Sequence, residues 1–186
     1  MNADHATLAA PSAWVARFAP LLPAGARVLD LACGGGRHAR LFAARGCEVT
    51  AVDRDAEAIA QLQGVAGVSA EVVDLEQAAW PLAGRSFDAV VVTNYLYRPH
   101  FDALLACVAL GGVLIYETFM RGNERFGKPS NPAFLLEADE LLQGVAGKFT
   151  VLAFEQGEVA LPKPAMVQRI CALRSASALP LIPSLR

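Results

Sequence analysis

Residues 27–39, Arg-Val-Leu-Asp-Leu-Ala-Cys-Gly-Gly-Gly-Arg-His-Ala, constrain the fold of this 186-residue chain more than any other stretch. Val28, Leu29 and Leu31 read as a buried strand interrupted by one acid, Asp30. Three glycines follow, and a helix opens at about Arg37. A strand that turns through glycines into a helix brings bare backbone N–H groups up to a ligand, because no Cβ stands in the way. Gly34-x-Gly36-x-x-Ala39 satisfies the dinucleotide fingerprint in its Gly/Ala form, with a pyrophosphate on the helix N-terminus. Asp30 opposes that reading. A carboxylate just behind the turn repels a pyrophosphate and attracts a cation. An ordinary strand–turn–helix would need no run of glycines after a buried acid.

The pattern of a strand ending in an acid recurs. Cys47–Val52 reads as a second strand ending at Asp53, about 20 residues past the turn, where a carboxylate can accept hydrogen bonds from ribose hydroxyls. Asp55 is placed to cap the next helix (Ala56, Ile59, Ala60, Leu62), which leaves Asp53 free for a ligand. Ser69–Val73 is a third strand, followed by Asp74-Leu75. Phe87–Val92 is a fourth, from whose end Thr93-Asn-Tyr-Leu-Tyr-Arg-Pro99 emerges. After a Gly111-Gly112 turn, Val113–Tyr116 is a fifth, followed by Glu117-Thr-Phe119. Helices are predicted over 37–45, 101–109 and 135–142, and Ser12 can cap an earlier one carrying Trp14, Val15, Phe18 and Leu21 on one face. Trp14 either packs this helix on the sheet or faces a cofactor. The last apolar strands, Phe149–Phe154 and Met166–Cys171, have between them a connection too short for a crossover helix and must pair antiparallel.

The pattern Val-Leu-Asp-Leu-x-x-Gly-x-Gly resembles the first motif of class I S-adenosylmethionine (SAM)-dependent methyltransferases, with Ala32 where that family usually carries its first glycine. SAM bears an ammonium and a sulfonium and no phosphate, which suits Asp30. Gly-Arg-His after the glycines, Thr-Asn-Tyr-Leu after the fourth strand and Tyr-Glu-Thr-Phe after the fifth resemble the small tellurite-resistance-type bacterial methyltransferases. The resemblance implies one α/β domain over residues 1–186. Its fold would be Rossmann-like, a mostly parallel seven-stranded sheet finished by an antiparallel C-terminal hairpin, with helices on both faces. The implied chemistry is SN2 transfer of the SAM methyl group, leaving S-adenosylhomocysteine (SAH).

Residue by residue, the family implies cofactor contacts at Asp30, Ala32, Gly34 and Gly36 in the first motif. After the second strand it implies Asp53 and Arg54. After the third, Asp74 binds the adenine amino group while the next amide, on Leu75, reaches a ring nitrogen. Asn94 and Tyr95 form the methyl-facing wall. A base is needed only for a protonated nucleophile, and His38, Tyr95, Tyr97 and His100 are its candidates; His38 is otherwise a helix-face histidine packed over the sheet. Residues 118–132 form a substrate lid with movement permitted at Gly122 and Gly127. Arg121, Arg125 and Lys128 would meet a small anionic acceptor there, beside Tyr97 and Glu117. Residues 1–24 are a cover over the cofactor, and 175–186 are a tail without periodicity.

Composition bounds the partners. A formal net charge of -2, from 16 Lys+Arg and 18 Asp+Glu, supplies no basic field for nucleic acid. The Asn-Pro-Pro-Tyr type of sequence used on nucleic-acid and peptide amides is absent after the fourth strand, which argues against a base-modifying enzyme. Four cysteines lack metal or redox spacing, so no metal is expected and the thiols read as free, in a reducing compartment. Cys33, inside the glycine turn, is a small residue beside the cofactor or else a nucleophile. No N-terminal signal-peptide pattern is present, and no apolar run approaches the roughly 20 residues that span a bilayer. The expected location is the cytoplasm, with no membrane partner. The rivals are a SAM-binding sensor or partner subunit without transferase activity, and an NAD(P) oxidoreductase, which Asp30 and the hairpin disfavour.

Overall fold

The computed structural model describes residues 9–175. Its elements run α1 (Ala13–Phe18), β1 (Arg27–Leu31), α2 (Arg37–Ala44), β2 (Glu48–Asp53), α3 (Ala56–Ala60), β3 (Val68–Val72) and β4 (Phe87–Thr93). The second half adds α4 (Phe101–Ala106), β5 (Val108–Phe119), α5 (Glu140–Val145), β6 (Phe149–Val159) and β7 (Ala165–Arg174). The strands form one seven-stranded sheet in the order β3-β2-β1-β4-β5-β7-β6. The first five are parallel, and β7 lies antiparallel between β5 and β6. This is the expected sheet, including its terminal hairpin.

The central strands are apolar on both sides because helices cover both faces. Val28, Ala89, Val91, Val113 and Ile115 pack with Trp14, Phe42 and Ile59 on the α1–α3 side. Their neighbours Leu29, Leu31, Val90, Val92, Leu114 and Tyr116 pack with Leu104, Leu105, Leu141 and Val145 on the α4–α5 side. Asp30 shares the parity of Val28 and therefore faces α2.

Three elements differ from expectation. Gly111-Gly112 lies inside β5 rather than before it, at a bulge where the register jumps from Phe87↔Val108 to Ala89↔Val113. The helix expected over 135–142 begins at Glu140, because Leu135 and Leu136 are fully buried in extended chain. The Leu136 amide donates to Phe119 O, and its carbonyl accepts from Arg121 N. α1 is short and tightens into a 3₁₀ turn, Ala19–Leu21, that contains Pro20. Residues 1–8 of the expected cover and 176–186 of the tail lie outside the described residues.

Candidate active site

A cavity of about 570 Å³ opens at the C-terminal edge of β1–β4, where the strand order reverses. Four chain segments build most of it: 32–37, 53–54, 73–76 and 93–95. The turn after β1 passes through the left-handed region at Ala32 (φ 54), Gly34 (φ 52) and Gly36 (φ 74). Ala32 holds a conformation that an L side chain adopts at a cost, which explains the glycine usual there in the family the motif resembles. Gly34 meets nothing within 4 Å at its Cβ position, whereas a Cβ on Gly36 would lie 2.3 Å from Leu62 Cδ2. The first glycine keeps backbone open to the cavity, and the last lets α2 close onto Leu62. Gly36 is therefore a packing residue and does not line the cavity.

Asp53 lines the cavity but is not free of the protein. One carboxylate oxygen accepts from Gly34 N at 2.8 Å and the other from Asp55 N at 2.9 Å. Two backbone amides thus fix the carboxylate at the cavity wall. Asp55 caps α3, accepting from Glu57 N and Ala58 N. Arg54, Asp74, Leu75 and Glu76 line the adjacent wall, with Arg54 Nη1 3.9 Å from Glu76 Oε2. Asn94 (φ 56) and Tyr95 close the end below β4. Their backbone is fixed to β5, since Asn94 N donates to Glu117 O at 3.0 Å and Tyr116 Oη donates to Tyr95 O at 2.7 Å. Burial raises the pKa of the Tyr95 phenol, and burial with Asp30 and Asp53 nearby raises that of the Cys33 thiol. Both groups are thereby held toward their protonated forms at neutral pH, which makes Cys33 a poor nucleophile there.

Asp30 and His38 lie under the turn rather than in the cavity. Asp30 Oδ2 accepts from Ala39 N at 2.8 Å, and desolvation lifts its pKa to about 7. His38 is buried and its pKa is pushed down to about 3, by desolvation first and then by Arg37. The neutral ring accepts from Ser12 N on Nε2 at 3.1 Å, which assigns the remaining proton to Nδ1. A base in direct reach of the cavity is not what this geometry makes of His38. Trp14 is a packing residue, its Nε1 donating to Ile170 O at 3.2 Å.

The expected substrate residues do not meet at the cavity. Glu117 accepts from Ser12 Oγ at 2.7 Å and pairs with Arg169 at 3.2 Å. Tyr97 Oη donates to Glu76 O at 3.5 Å, with its ring against His100. Arg121 pairs with Glu137 and Arg125 with Glu158, and Lys128 is exposed away from the lining. Residues 118–132 are stitched down instead of hinged. Met120 N donates to Met166 O, and buried Asn123 donates to Pro129 O and accepts from Met166 N. Sequence reasoning missed Ala9, Arg37, Gln61, Val73, Glu76 and Thr93 in the lining. Four of them flank motif residues directly, and that adjacency was the available signal.

Residues 28–110 match the family model described as a methyltransferase domain. The ubiquinone biosynthesis O-methyltransferase of Xanthomonas axonopodis pv. citri (strain 306) is 39% identical over 113 residues, covering 55% of this chain and 47% of that protein. The tRNA U34 carboxymethyltransferase of Methylococcus capsulatus (strain ATCC 33009 / NCIMB 11132 / Bath) is 35% identical over 113 residues, 55% of this chain and 34% of that one. The chain thus spans half or less of these curated relatives. Among solved structures, TehB from Haemophilus influenzae superposes with a TM-score of 0.76 at 19% identity, over 92% of this chain and 64% of that one. The N-methyltransferase NodS from Bradyrhizobium japonicum WM9, in complex with SAH, gives 0.65 at 19% identity, over 88% and 84%. Residues 28–110 are thus similar to a methyltransferase domain, and the seven-stranded sheet has the fold of TehB and NodS.

Proposed function

We propose that this protein is an enzyme that transfers the methyl group of SAM, by SN2 displacement, to a small-molecule acceptor. The observation that carries the reading is convergence. The glycine turn, Asp53, Asp74-Leu75 and Asn94-Tyr95, drawn from four strand ends, line one cavity. Its volume is that of a site for one small ligand. The nucleoside would lie along Asp53, Arg54 and Asp74 and the methionine part over the glycine turn, pointing the methyl group at Asn94 and Tyr95. Catalysis is then mostly proximity and alignment of nucleophile, methyl carbon and sulfur.

The acceptor brings its own available lone pair. No histidine or lysine is among the described residues lining the cavity, burial disfavours ionisation of Cys33 and Tyr95, and the carboxylates of Asp53, Asp74 and Glu76 lie along the proposed nucleoside wall. A small anion meets this requirement without a base, as a neutral amine also would, and we take the anion as the acceptor because Arg37 and Arg54 in the lining can meet its charge. The support does not come from Arg121, Arg125 or Lys128, which lie outside the lining.

Titration calorimetry with SAM, SAH and NAD tests cofactor choice, and SAH formation over a panel of small oxyanions, thiols, carboxylic acids and RNA tests the acceptor. Binding of SAM and SAH but not NAD, with turnover of a small molecule, is the expected result. RNA as the sole acceptor overturns the small-molecule reading. SAM binding without turnover of any acceptor favours the second reading, a sensor or partner subunit, in which Asp53 and Asp74 serve binding alone.

A further inference from the structure

We propose that His38 and Glu117 are positioning residues that clamp Ser12, holding residues 9–11 as a strap across the glycine-turn end of the cavity, so that cofactor release requires the strap to lift. The proposal rests on the reading of this cavity as the SAM site.

The strap is visible in the hydrogen bonds. Ala9 lines the cavity, and Ala10 O accepts from Arg37 Nη1 at 3.3 Å. Ser12 then makes two long-range bonds, neither of which its role as helix cap requires. Its backbone N–H donates to His38 Nε2 at 3.1 Å, and its hydroxyl donates to Glu117 Oε1 at 2.7 Å. The same oxygen accepts from Trp14 N and Val15 N, so one side chain ends the strap, starts α1 and reaches β5. The anchors stand on both sides of the glycine turn. His38 is in the first turn of α2, and Glu117 is the residue whose carbonyl holds Asn94 N.

Each anchor has the electrostatic form its task needs. A protonated imidazole would have no lone pair for Ser12 N–H, and burial together with Arg37 keeps His38 neutral. Glu117 sits between Ser12 and Arg169, and Arg169 in turn pairs with Glu155 at 2.7 Å. Its charge is compensated on the side away from the strap. A wall that excludes water strengthens the polar contacts behind it and slows escape of what they hold.

The test is the rate of SAH release from the full-length protein, measured by stopped-flow displacement. His38→Leu and Glu117→Ala each remove one anchor and should speed release about fivefold or more. His38→Gln and Glu117→Gln return an oxygen acceptor and should restore most of the wild-type rate. Arg85→Ala is the control for general loosening. It breaks the Glu71 and Thr50 contacts at the opposite edge of the sheet and should leave release unchanged. If either anchor variant does not fold, Ser12→Ala, which keeps both anchors, must speed release instead. Wild-type release rates in the anchor variants, or equal acceleration by Arg85→Ala, overturn the clamp. Failure of the wild-type protein to bind SAH overturns the SAM reading itself, a distinguishable result.

Discussion

His38 Nδ1 stands 4.0 Å from Asp30 Oδ1, and both side chains are closed off from solvent. Burial moves the two groups in opposite directions, Asp30 from 3.8 to about 7 and His38 from 6.5 to about 3. Between about pH 4 and pH 6.5 the unfolded chain carries one proton of this pair on the histidine, and the folded chain carries one on the aspartate. The proton count is the same in both states, so the two contributions to pH-dependent stability cancel across that window.

Removing one partner should uncover the other. In His38→Gln the folded state still protonates Asp30 up to about pH 7 while the unfolded state releases that proton near 3.8. Stability then falls as pH rises through this range, by about 4 kcal/mol at most. In Asp30→Asn the unfolded histidine binds a proton below 6.5 that the folded one refuses until about 3, so stability falls as pH drops. Urea unfolding of the three proteins across the window reads the slopes. A wild-type slope as steep as either variant's contradicts the cancellation.

On the proposed placement of the nucleoside, Asp53→Ala should weaken SAH binding by about 1.5–3 kcal/mol, roughly tenfold or more, by removing a charge-assisted partner of the ribose. It also releases Gly34 N and Asp55 N, so circular dichroism must accompany the calorimetry. Unchanged affinity in a folded variant removes Asp53 from the site.

Glycine matters for different reasons along the turn. Gly36→Ala drives a Cβ into Leu62, which is fully buried, and should cost about 1–3 kcal/mol in thermal or urea unfolding. Gly34→Ala meets only open space and should cost about 1 kcal/mol, from its left-handed backbone alone. Equal losses would mean that packing on Leu62 is not what fixes Gly36.

At Ala32 the natural residue already bears the strain of φ 54. Ala32→Gly relieves it but frees the unfolded chain, so stability should move by less than about 1 kcal/mol, with SAH binding retained. Ala32→Val adds a β-branch and should lose about 1–3 kcal/mol. Differential scanning calorimetry separates these outcomes; a tolerated valine refutes the conformational argument.

The cations of the 118–132 segment should be dispensable to chemistry. Arg121 and Arg125 are in exposed pairs with Glu137 and Glu158, which contribute little, so the Arg121/Arg125/Lys128 triple alanine variant should stay within about 1 kcal/mol of wild type. Its acceptor KM and kcat should be unchanged. A raised KM at constant SAM affinity would restore these residues to the acceptor site.

The strands and their closing acids were legible because central parallel strands are buried on both faces and appear as unbroken apolar runs. Even the burial of Asp30 can be read from parity, since residues two apart share a face and Val28 packs toward α2. What could not be read was pairing between distant segments. Nothing local says that Ser12 reaches Glu117, that Arg125 finds Glu158, or that Leu135 and Leu136 are used in extended chain before α5 begins. Helix ends were misplaced for the same reason, since α4 stops where β5 claims Val108.

The place of β7 has a consequence for synthesis. β5 is complete at Phe119, but the strand that pairs with its outer edge is not finished until Arg174, and β6 is made first without a partner. During translation the edge of β5 at Leu114–Tyr116 therefore waits, open, while the intervening residues emerge. An open apolar edge is a template for a second nascent chain. Slow elongation between 119 and 174 should accordingly favour aggregation, and substitutions that weaken β7 should lower soluble yield more than their effect on the finished fold accounts for.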